Sequence, residues 1–204
     1  GVINMLFTLI IIIAVFLGIL TGHFFISPAE MDNLNLISSY FLTILLFSVG
    51  IDLGSSKDTF KDISKKSKLL FILTSAVILG TFTGGLIAGV VSDMHYNASL
   101  AIAAGFGWYS LAPVILNKIA TPEIAAIAFL TNILREVFAI ILIPILAKYV
   151  NFFTALAPGG ATSMDTTLPI VSRATDPNHS VISFLNGAIL TLLVPFLVNF
   201  LYSL

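Results

Sequence analysis

Charged side chains are scarce in this chain of 204 residues. Asp, Glu, Lys and Arg make up 9% of the sequence, whereas hydrophobic residues make up 58%. A soluble globular domain carries about 25% charged residues, because its surface faces water. So few charges cannot cover a water-facing surface, and the composition therefore predicts an integral membrane protein that faces the lipid bilayer.

Cysteine is absent, and the net charge is only −1. Without cysteine the chain forms neither disulfides nor thiolate metal sites. A nearly neutral chain gives no electrostatic case for binding nucleic acid. The three histidines, His23, His95 and His179, are far apart in the sequence, and histidines at membrane interfaces are the favoured interpretation over a ligand cluster. We therefore expect no metal, no cofactor and no nucleic-acid partner.

Apolar runs of about 20 residues recur along the sequence, which is the length that a helix needs to cross a bilayer. The first run is too long for the apolar part of a signal peptide and has no basic segment before it, so we interpret it as a retained helix. The sequence predicts an all-α integral membrane fold of about six or seven transmembrane helices, in a single transporter domain over residues 1–204. The apolar segments are 2–22, 34–53, 69–91, 98–120, 124–147, 154–174 and 180–201.

Lysine is concentrated in one short loop, residues 54–68. Basic loops favour the cytoplasm, so this loop is predicted to be cytoplasmic. Alternating from it, we expect residues 92–97 outside, Lys118 inside and residues 148–153 outside. The sequence leaves open whether the 154–174 segment crosses or re-enters the bilayer. Five of the nine basic residues lie in this loop: Lys57, Lys61, Lys65, Lys66 and Lys68.

Two of the apolar segments contain residues that interrupt helices, near 105–113 and 158–169. Proline removes a helical hydrogen bond and glycine weakens a helix, so neither segment is expected to be one continuous helix. Irregular backbone at membrane depth is tolerated where it is buried in protein or lines a cavity, and transporters use interrupted helices to bind polar substrates. An extracellular loop followed by a short helix is the alternative for the second segment.

Arg135 and Glu136 lie at the midpoint of the 124–147 segment. Each charge at that depth costs roughly 2.5–3.5 kcal/mol on insertion scales, so both are expected to face protein or a water-filled cavity. Adjacent helical residues point about 100° apart, so the two need separate partners. Asn132, one helical turn earlier, can border the same pocket. A structural ion pair that joins two helices is the alternative.

The interrupted segments contribute further candidate residues. Asp165 is the one acid of the second segment, and Asp52 is interpreted as an interfacial partner of Lys57 rather than as a ligand. Aromatic faces in the first segment can hold an ammonium group, with interfacial anchoring as their alternative role. The residues predicted to bind substrate and protons are Glu136, Asp165, Asn132, Arg135, Trp108, Tyr109, Ser110, Thr162 and Ser163.

Three motifs occur in the order found in a known family. They are Gly105-Phe106-Gly107-Trp108-Tyr109-Ser110, then Asn132 with Arg135-Glu136, then Gly160-Ala161-Thr162-Ser163-Met164-Asp165 followed by Thr167-Leu168-Pro169. Together they resemble the bacterial lysine exporter family often called LysO, over essentially the whole chain.

The resemblance implies a multi-pass transporter of the bacterial cytoplasmic (inner) membrane that exports L-lysine and its toxic analogue thialysine, coupled to proton uptake. It also implies that Glu136 and Asp165 are the required intramembrane acids. Single-chain members of the family carry further N-terminal helices before the equivalent of Val2. A homodimer, or a complex with a small membrane protein, is therefore expected to supply the missing surface.

A plausible chemistry follows from the charges of lysine, which has two ammonium groups and one carboxylate. Two buried carboxylates can neutralise the ammonium groups, while Arg135 or free backbone amides receive the carboxylate. Burial favours the protonated form of a carboxyl group, so lysine and protons would compete for one site, which produces antiport.

Two other classes remain as alternatives. An intramembrane protease would need Asp165 with Asp52, or Ser163 with His179. A channel, or a non-transporting subunit that needs a partner chain, would need no alternating site. The helix interruptions favour a transporter over a channel. Neither aspartate lies in a Gly-x-Gly-Asp string and Asp52 is expected at an interface, which argues against a protease, so we expect no enzymatic activity.

Overall fold

The computed structural model describes residues 63–204 continuously, with side chains from residue 67 onward, and before them thirteen positions between 13 and 51, all of them helical. The spans expected at 2–22 and 34–53 and the lysine loop up to residue 62 fall largely outside the described residues. Asp52 and Lys57 lie there too, so the pairing expected between them stays a prediction.

The described residues form helices and turns and contain no β-strand. Three helices, α1, α4 and α7, are long and apolar enough to cross a membrane, and the 28 residues of α4 give it a length of about 42 Å. This confirms the all-α membrane class. In chain order the elements are α1 Ile63–Val91, α2 Tyr96–Ala103, α3 Ala112–Ile119, α4 Pro122–Tyr149, α5 Phe152–Ala155, a 3-10 helix Gly160–Met164, α6 Leu168–Ala174 and α7 Pro177–Tyr202.

The long helices α4 and α7 begin in the same way. Thr121 caps α4 by accepting a hydrogen bond from the backbone N–H of Ile124 at 3.3 Å. Asp176 caps α7 by accepting one from the N–H of His179 at 3.0 Å. A proline follows each cap, where its missing N–H and fixed φ suit the first helical turn. The local sequence therefore specifies where both helices start.

The segment from α2 to α3 is a helical hairpin, hairpin 1 (residues 96–119). At its start, the side-chain amide of Asn97 donates to the carbonyl oxygen of Tyr202 at 3.2 Å. At its end, Ile119 lines a surface groove with Asn199 and Tyr202. Both ends of hairpin 1 therefore lie at the C-terminal end of α7. The expectation that residues 98–120 cross and place Lys118 opposite residues 92–97 is wrong.

The segment from α5 to α6 is a second helical hairpin, hairpin 2 (residues 152–174). Its first residue, Phe152, packs edge-on against His179, with ring centroids 5.5 Å apart, and α6 runs directly into the cap of α7. Both ends of hairpin 2 therefore lie at the N-terminal end of α7, which answers the question left open by the sequence. Residues 148–153 and residues 92–97 consequently lie at opposite ends of the bundle, not on the same side as expected.

Helix, hairpin, helix, hairpin and helix follow one another at a regular spacing. Gly105 and Gly159 occupy the two hairpin tips, Asn132 and Asn186 occupy the helices that follow them, and the same interval of sequence separates the members of each pair. We call hairpin 1 with α4 the first unit, and hairpin 2 with α7 the second unit. Hairpin 1 starts and ends at one end of the bundle and hairpin 2 at the other, and α4 and α7 run in opposite directions, so the second unit is inverted relative to the first. Inverted repeats of this kind are common in secondary transporters. The confirmed interruptions near 105–113 and 158–169 are the two tips.

Candidate functional site

The tips of the two hairpins meet in the middle of the bundle. The backbone N–H of Ala161 in hairpin 2 donates to the carbonyl oxygen of Phe106 in hairpin 1 at 2.9 Å. Phe106 has φ +47°, and Gly160 has φ +58°. A Cβ at Gly160 would collide with the carbonyl oxygen of Phe106, so glycine permits both the left-handed turn and the close approach.

Arg135 lies at this meeting point of the tips. Its Nη1 donates to the hydroxyl of Thr81 on α1 at 2.9 Å, and its Cζ lies 5.9 Å from the ring centroid of Phe106. The guanidinium also reaches to 2.9 Å from where a Cβ of Gly160 would be. It forms no ion pair with a carboxylate of residues 67–204. Arg135 thus ties α1, α4 and both tips together while its charge stays uncompensated in that range.

Glu136 is buried one residue further along α4, with 8% of its surface exposed. Its Oε2 is buried and has no hydrogen-bond partner. The carboxylate interacts electrostatically with Asp165 and contacts the side chain of Thr166. Tyr109 of hairpin 1 also interacts electrostatically with both carboxylates. The structure therefore gathers Glu136, Asp165 and Tyr109, from α4 and the two tips, around one place.

Asp165 ends the 3-10 helix of hairpin 2. Its Oδ1 accepts a hydrogen bond from the backbone N–H of Thr166 at 2.6 Å, which fixes the direction of the half-buried side chain. It lines a small cavity of about 60 Å³ together with residues of both tips and of α7. Small-molecule pockets are usually about 300–1,000 Å³, so this cavity is smaller than a typical substrate site. Its lining residues are Trp108, Ala161, Thr162, Met164, Asp165 and Thr191.

Asn132 is a structural partner of hairpin 1. Its Oδ1 accepts from the backbone N–H of Gly107 at 2.7 Å, and its Nδ2 donates to the carbonyl oxygens of Ala128 at 2.8 Å and Ile102 at 3.2 Å. A Cβ at Gly105 would lie 2.6 Å from that Nδ2, so the tip needs glycine to seat the amide. Both N–H donors and one of the two acceptor positions of the side chain are therefore engaged by backbone.

Thr162 and Ser163 are buried inside the tip of hairpin 2 and bond to nearby backbone. The Thr162 hydroxyl donates to the carbonyl oxygen of Gly159 at 2.8 Å, although its side chain also reaches the cavity. The Ser163 hydroxyl lies 2.7 Å from the carbonyl oxygen of Gly160. His179 instead pairs with Asp176 at 3.0 Å, so the Ser163–His179 arrangement that a serine protease would need is not formed.

The remaining predicted residue, Ser110, is exposed and does not join the acids, whereas Trp108 is half-buried and lines the cavity. Three threonines join the site without having been predicted. Thr166 contacts both acids, Thr191 of α7 lines the cavity, and Thr81 of α1 holds Arg135. Each is a hydroxyl side chain in the middle of an apolar segment, which is the signal that sequence reasoning could have used.

Metal binding was not expected, and residues 67–204 contain no cluster of three or more His, Asp or Glu side chains that could hold a metal ion. The site itself offers two carboxylates, one guanidinium, aromatic rings and hydroxyl groups. This set suits a cationic organic substrate with an acidic group of its own.

Comparison of the sequence with known proteins identifies a family. A family model described as lysine exporter LysO matches residues 12–202. The lysine exporter LysO of Escherichia coli (strain K12) is 40% identical over 163 residues, which are 80% of this chain and 54% of that protein. The chain thus spans about half the length of that relative.

A second relative is covered more fully. The putative lysine exporter of Haemophilus influenzae (strain ATCC 51907 / DSM 11121 / KW20 / Rd) is 32% identical over 164 residues, which are 80% of this chain and 83% of that protein. Both relatives are named as exporters and neither as an enzyme. No solved structure matches the chain. The family match covers nearly the whole sequence, including both hairpin tips and the acids between them, and the chain belongs to the lysine exporter LysO family.

Proposed function

We propose that this protein is a secondary transporter of the bacterial cytoplasmic membrane that exports L-lysine and thialysine by proton antiport. The observation that carries the proposal is the pair Glu136 and Asp165, two carboxylates from facing elements within electrostatic reach of each other. Neither forms an ion pair with an Arg or Lys side chain of residues 67–204, and one oxygen of Glu136 has no hydrogen-bond partner. Such a site attracts a cation.

The proposed binding mode follows from the charges of lysine. Its two ammonium groups pair with Glu136 and Asp165, beside the aromatic ring of Tyr109. Its carboxylate lies toward Arg135, whose guanidinium has no anionic partner in residues 67–204. Arginine binds carboxylates with paired N–H donors. In this mode Arg135 both ties the tips together and receives the carboxylate, so the two roles considered for it are compatible.

Proton coupling follows from the closeness of the two acids. Two ionised carboxylates in a low-dielectric site repel each other strongly, so the site without substrate holds a proton in place of the ammonium group. Lysine binding displaces the proton, and proton binding displaces lysine. One site that holds either cation but not both gives exchange, which is the requirement for antiport.

Access to the site follows from the two hairpins. With the lysine-rich loop in the cytoplasm, hairpin 2 enters from the cytoplasm and hairpin 1 from the outside. The cavity beside Asp165, of about 60 Å³, is too small to hold lysine, so lysine binding requires one of the hairpins to move. We propose that hairpin 2 moves to admit lysine from the cytoplasm and that hairpin 1 moves to release it outside. The inverted repeat makes these two movements equivalent.

A partner completes the transporter in this proposal. The E. coli relative extends over about twice the matched length. A second copy of the chain, or a small membrane protein, would supply the surface against which the hairpins move. Co-purification from native membranes identifies which of these is present.

The proposal is tested by lysine counterflow in proteoliposomes that contain the full chain with any co-purifying partner. Labelled lysine should accumulate against unlabelled lysine and saturate, as expected for a carrier and not for a channel. Glu136→Gln and Asp165→Asn, made separately, should each reduce exchange at least tenfold. Glu123→Gln, an exposed acid in the first turn of α4, is the matched control and should exchange normally. Unchanged exchange in both site variants would refute the proposal.

A further inference from the structure

A second group of buried polar side chains lies behind the tip of hairpin 2. Thr74 comes from α1, Ser163 from the 3-10 helix, and Ser183 and Asn186 from α7. All four are buried, and Ser163, Ser183 and Asn186 are 0% exposed. All four are also uncharged, so this polar group is distinct in chemistry from the acids of the lysine site.

The hydrogen bonding of this group is incomplete. The Ser163 hydroxyl lies 2.7 Å from the carbonyl oxygen of Gly160 and 2.9 Å from that of Ser183, but it has one proton to donate. The Ser183 hydroxyl and the Asn186 Nδ2 are buried without partners. Buried unpaired polar atoms are unfavourable by about 1–3 kcal/mol each, so a bound species that pairs them is expected.

The oxygens of the group lie close to one another. Ser183, Asn186 and Gly187 share one face of α7, at positions i, i+3 and i+4. A Cβ at Gly187 would lie 2.8 Å from the Ser163 hydroxyl, so that hydroxyl packs against α7 at the residue that follows Asn186. The Thr74 hydroxyl lies 2.9 Å from the Oδ1 of Asn186. These contacts place the polar side chains of Thr74, Ser163 and Asn186 next to one another behind the tip of hairpin 2.

The repeat provides an independent comparison. Asn132, which is the counterpart of Asn186 in the first unit, makes three hydrogen bonds, through both ends of its amide, to the backbone of hairpin 1 and of its own helix. Asn186 makes one hydrogen bond, to Thr74, and keeps its other end unpaired. Support of the hairpin tip therefore explains Asn132 and does not explain the polar side chains behind hairpin 2.

We propose that this group holds a binding site for Na⁺, formed by the side-chain oxygens of Ser163, Ser183 and Asn186 and the carbonyl oxygens of Gly160 and Ser183. Exchanging the positions of the oxygen and nitrogen of the Asn186 amide directs its oxygen to the site and its Nδ2 to the Thr74 hydroxyl. Interrupted helices in transporters bind Na⁺ through freed backbone carbonyls of this kind. The bound ion would hold hairpin 2 against α1 and α7.

This inference rests on the proposed function and deepens it by adding a coupling ion, but binding of Na⁺ is testable without transport. The purified full chain in detergent is unfolded by heat in NaCl and in choline chloride of equal ionic strength. Because a ligand stabilises the folded state that binds it, Na⁺ should raise Tm saturably, by about 2–8 °C. Binding of ²²Na⁺ should saturate over the same range. An equal Tm in the two salts would overturn the inference.

Variants locate the ion. Ser183→Ala and Asn186→Ala should each remove the Na⁺-dependent rise in Tm at least in large part. Thr83→Ala, which deletes an exposed hydroxyl on α1 that bonds only to the carbonyl oxygen of Leu79, should keep it. If Asn186→Ala does not fold, Ser183→Ala and ²²Na⁺ binding by the unmodified chain decide the question. A full Na⁺ response in Ser183→Ala would overturn the assignment.

The outcomes separate this site from the lysine site. Glu136→Gln should lose lysine exchange and keep the rise in Tm with Na⁺. Lysine exchange with no response to Na⁺ in the unmodified protein would leave the proposed function standing and remove the Na⁺ site. A response to Na⁺ without lysine exchange would do the reverse.

Discussion

The hydrogen bond from the backbone N–H of Ala161 to the carbonyl oxygen of Phe106, 2.9 Å long, joins two hairpins that enter the bundle from opposite ends. The bond brings together two parts of the sequence that are separated by the whole of α3, α4 and α5. Arg135 lies directly against it, over the Phe106 ring, and Glu136 follows on the same helix. The junction of the tips therefore positions the charges of the site, and it is the first place where a substitution should act.

Gly160→Ala should disrupt this junction. Alanine at φ +58° is unfavourable by about 1–2 kcal/mol, and its Cβ would meet the Phe106 carbonyl and the Arg135 guanidinium. We expect a lower Tm and loss of lysine exchange. Gly84→Ala is the matched control, because a Cβ there meets nothing within 4 Å, and alanine favours the helix by about 1 kcal/mol. Equal stability of the two variants would contradict the assigned junction.

Asn132→Ala should loosen hairpin 1. The substitution leaves the N–H of Gly107 buried without its partner at 2.7 Å, which destabilises the fold by about 1–3 kcal/mol. Trp108, the single tryptophan, follows Gly107, so its fluorescence emission should shift to longer wavelength as water enters. Asn199→Ala is the control, because Asn199 is exposed and bonds only within its own helix. An unchanged emission spectrum in Asn132→Ala would show that the amide does not hold the tip.

Much of this site was predictable from the sequence, because the signals are local. A charge in the middle of an apolar segment is conspicuous by composition, so Arg135, Glu136 and Asp165 stand out. Glycine and proline within a few residues predict a break in a helix, and both breaks are confirmed. The caps at Thr121 and Asp176 likewise follow from residue type and position.

The return of the hairpins was not predictable in the same way. Hairpin 1 has a length in sequence that also suits a single crossing, which needs about 20 residues, so length cannot distinguish the two. The difference lies in long-range contacts, such as that of Asn97 with Tyr202. The binding role of Asn132 stays a prediction. Its hydrogen-bond partners are backbone groups of hairpin 1 and of its own helix, and these long-range contacts could not be derived from the sequence either.

Asp176 should contribute to stability in a pH-dependent way. Burial alone would raise the pKa of Asp176, but hydrogen bonds from the backbone and ring of His179, together with its charge, outweigh burial and hold the pKa below its usual range. A carboxyl whose pKa is lowered by folding stabilises the fold above its unfolded pKa of about 3.9 and loses that contribution as the pH falls.

Two substitutions of Asp176 separate its charge from its capping role. Asp176→Ala should lower stability by about 1 kcal/mol at pH 7 through loss of the cap on α7. Asp176→Asn keeps a good cap and removes the titration, so its stability should fall less than that of the unmodified protein between pH 5 and pH 3. Tm measured over this pH range checks both. Parallel pH profiles of the unmodified protein and Asp176→Asn would rule out the contribution of the charge.

The hairpin arrangement predicts a specific pattern of surface labelling. The chain has no cysteine, so a single cysteine reports one position. Ser92→Cys and Lys118→Cys lie at the same end of the bundle as the C-terminus, and Lys148→Cys and Asn178→Cys lie at the other. With the lysine-rich loop inside, a membrane-impermeant maleimide should label the first two in intact cells and the second two only after permeabilisation.

Lys118→Cys distinguishes a hairpin from a crossing. A crossing places it on the opposite side of the membrane from Ser92→Cys, and a hairpin places both on the same side. If residues 98–120 crossed the bilayer, Ser92→Cys would react from outside and Lys118→Cys would be protected. In the hairpin both react from the same side. Lys118 and Ser92 are exposed, so neither should be hidden by the fold. Protection of Lys118→Cys alone would therefore reject hairpin 1, and with it the inverted repeat that places Glu136 between the two tips.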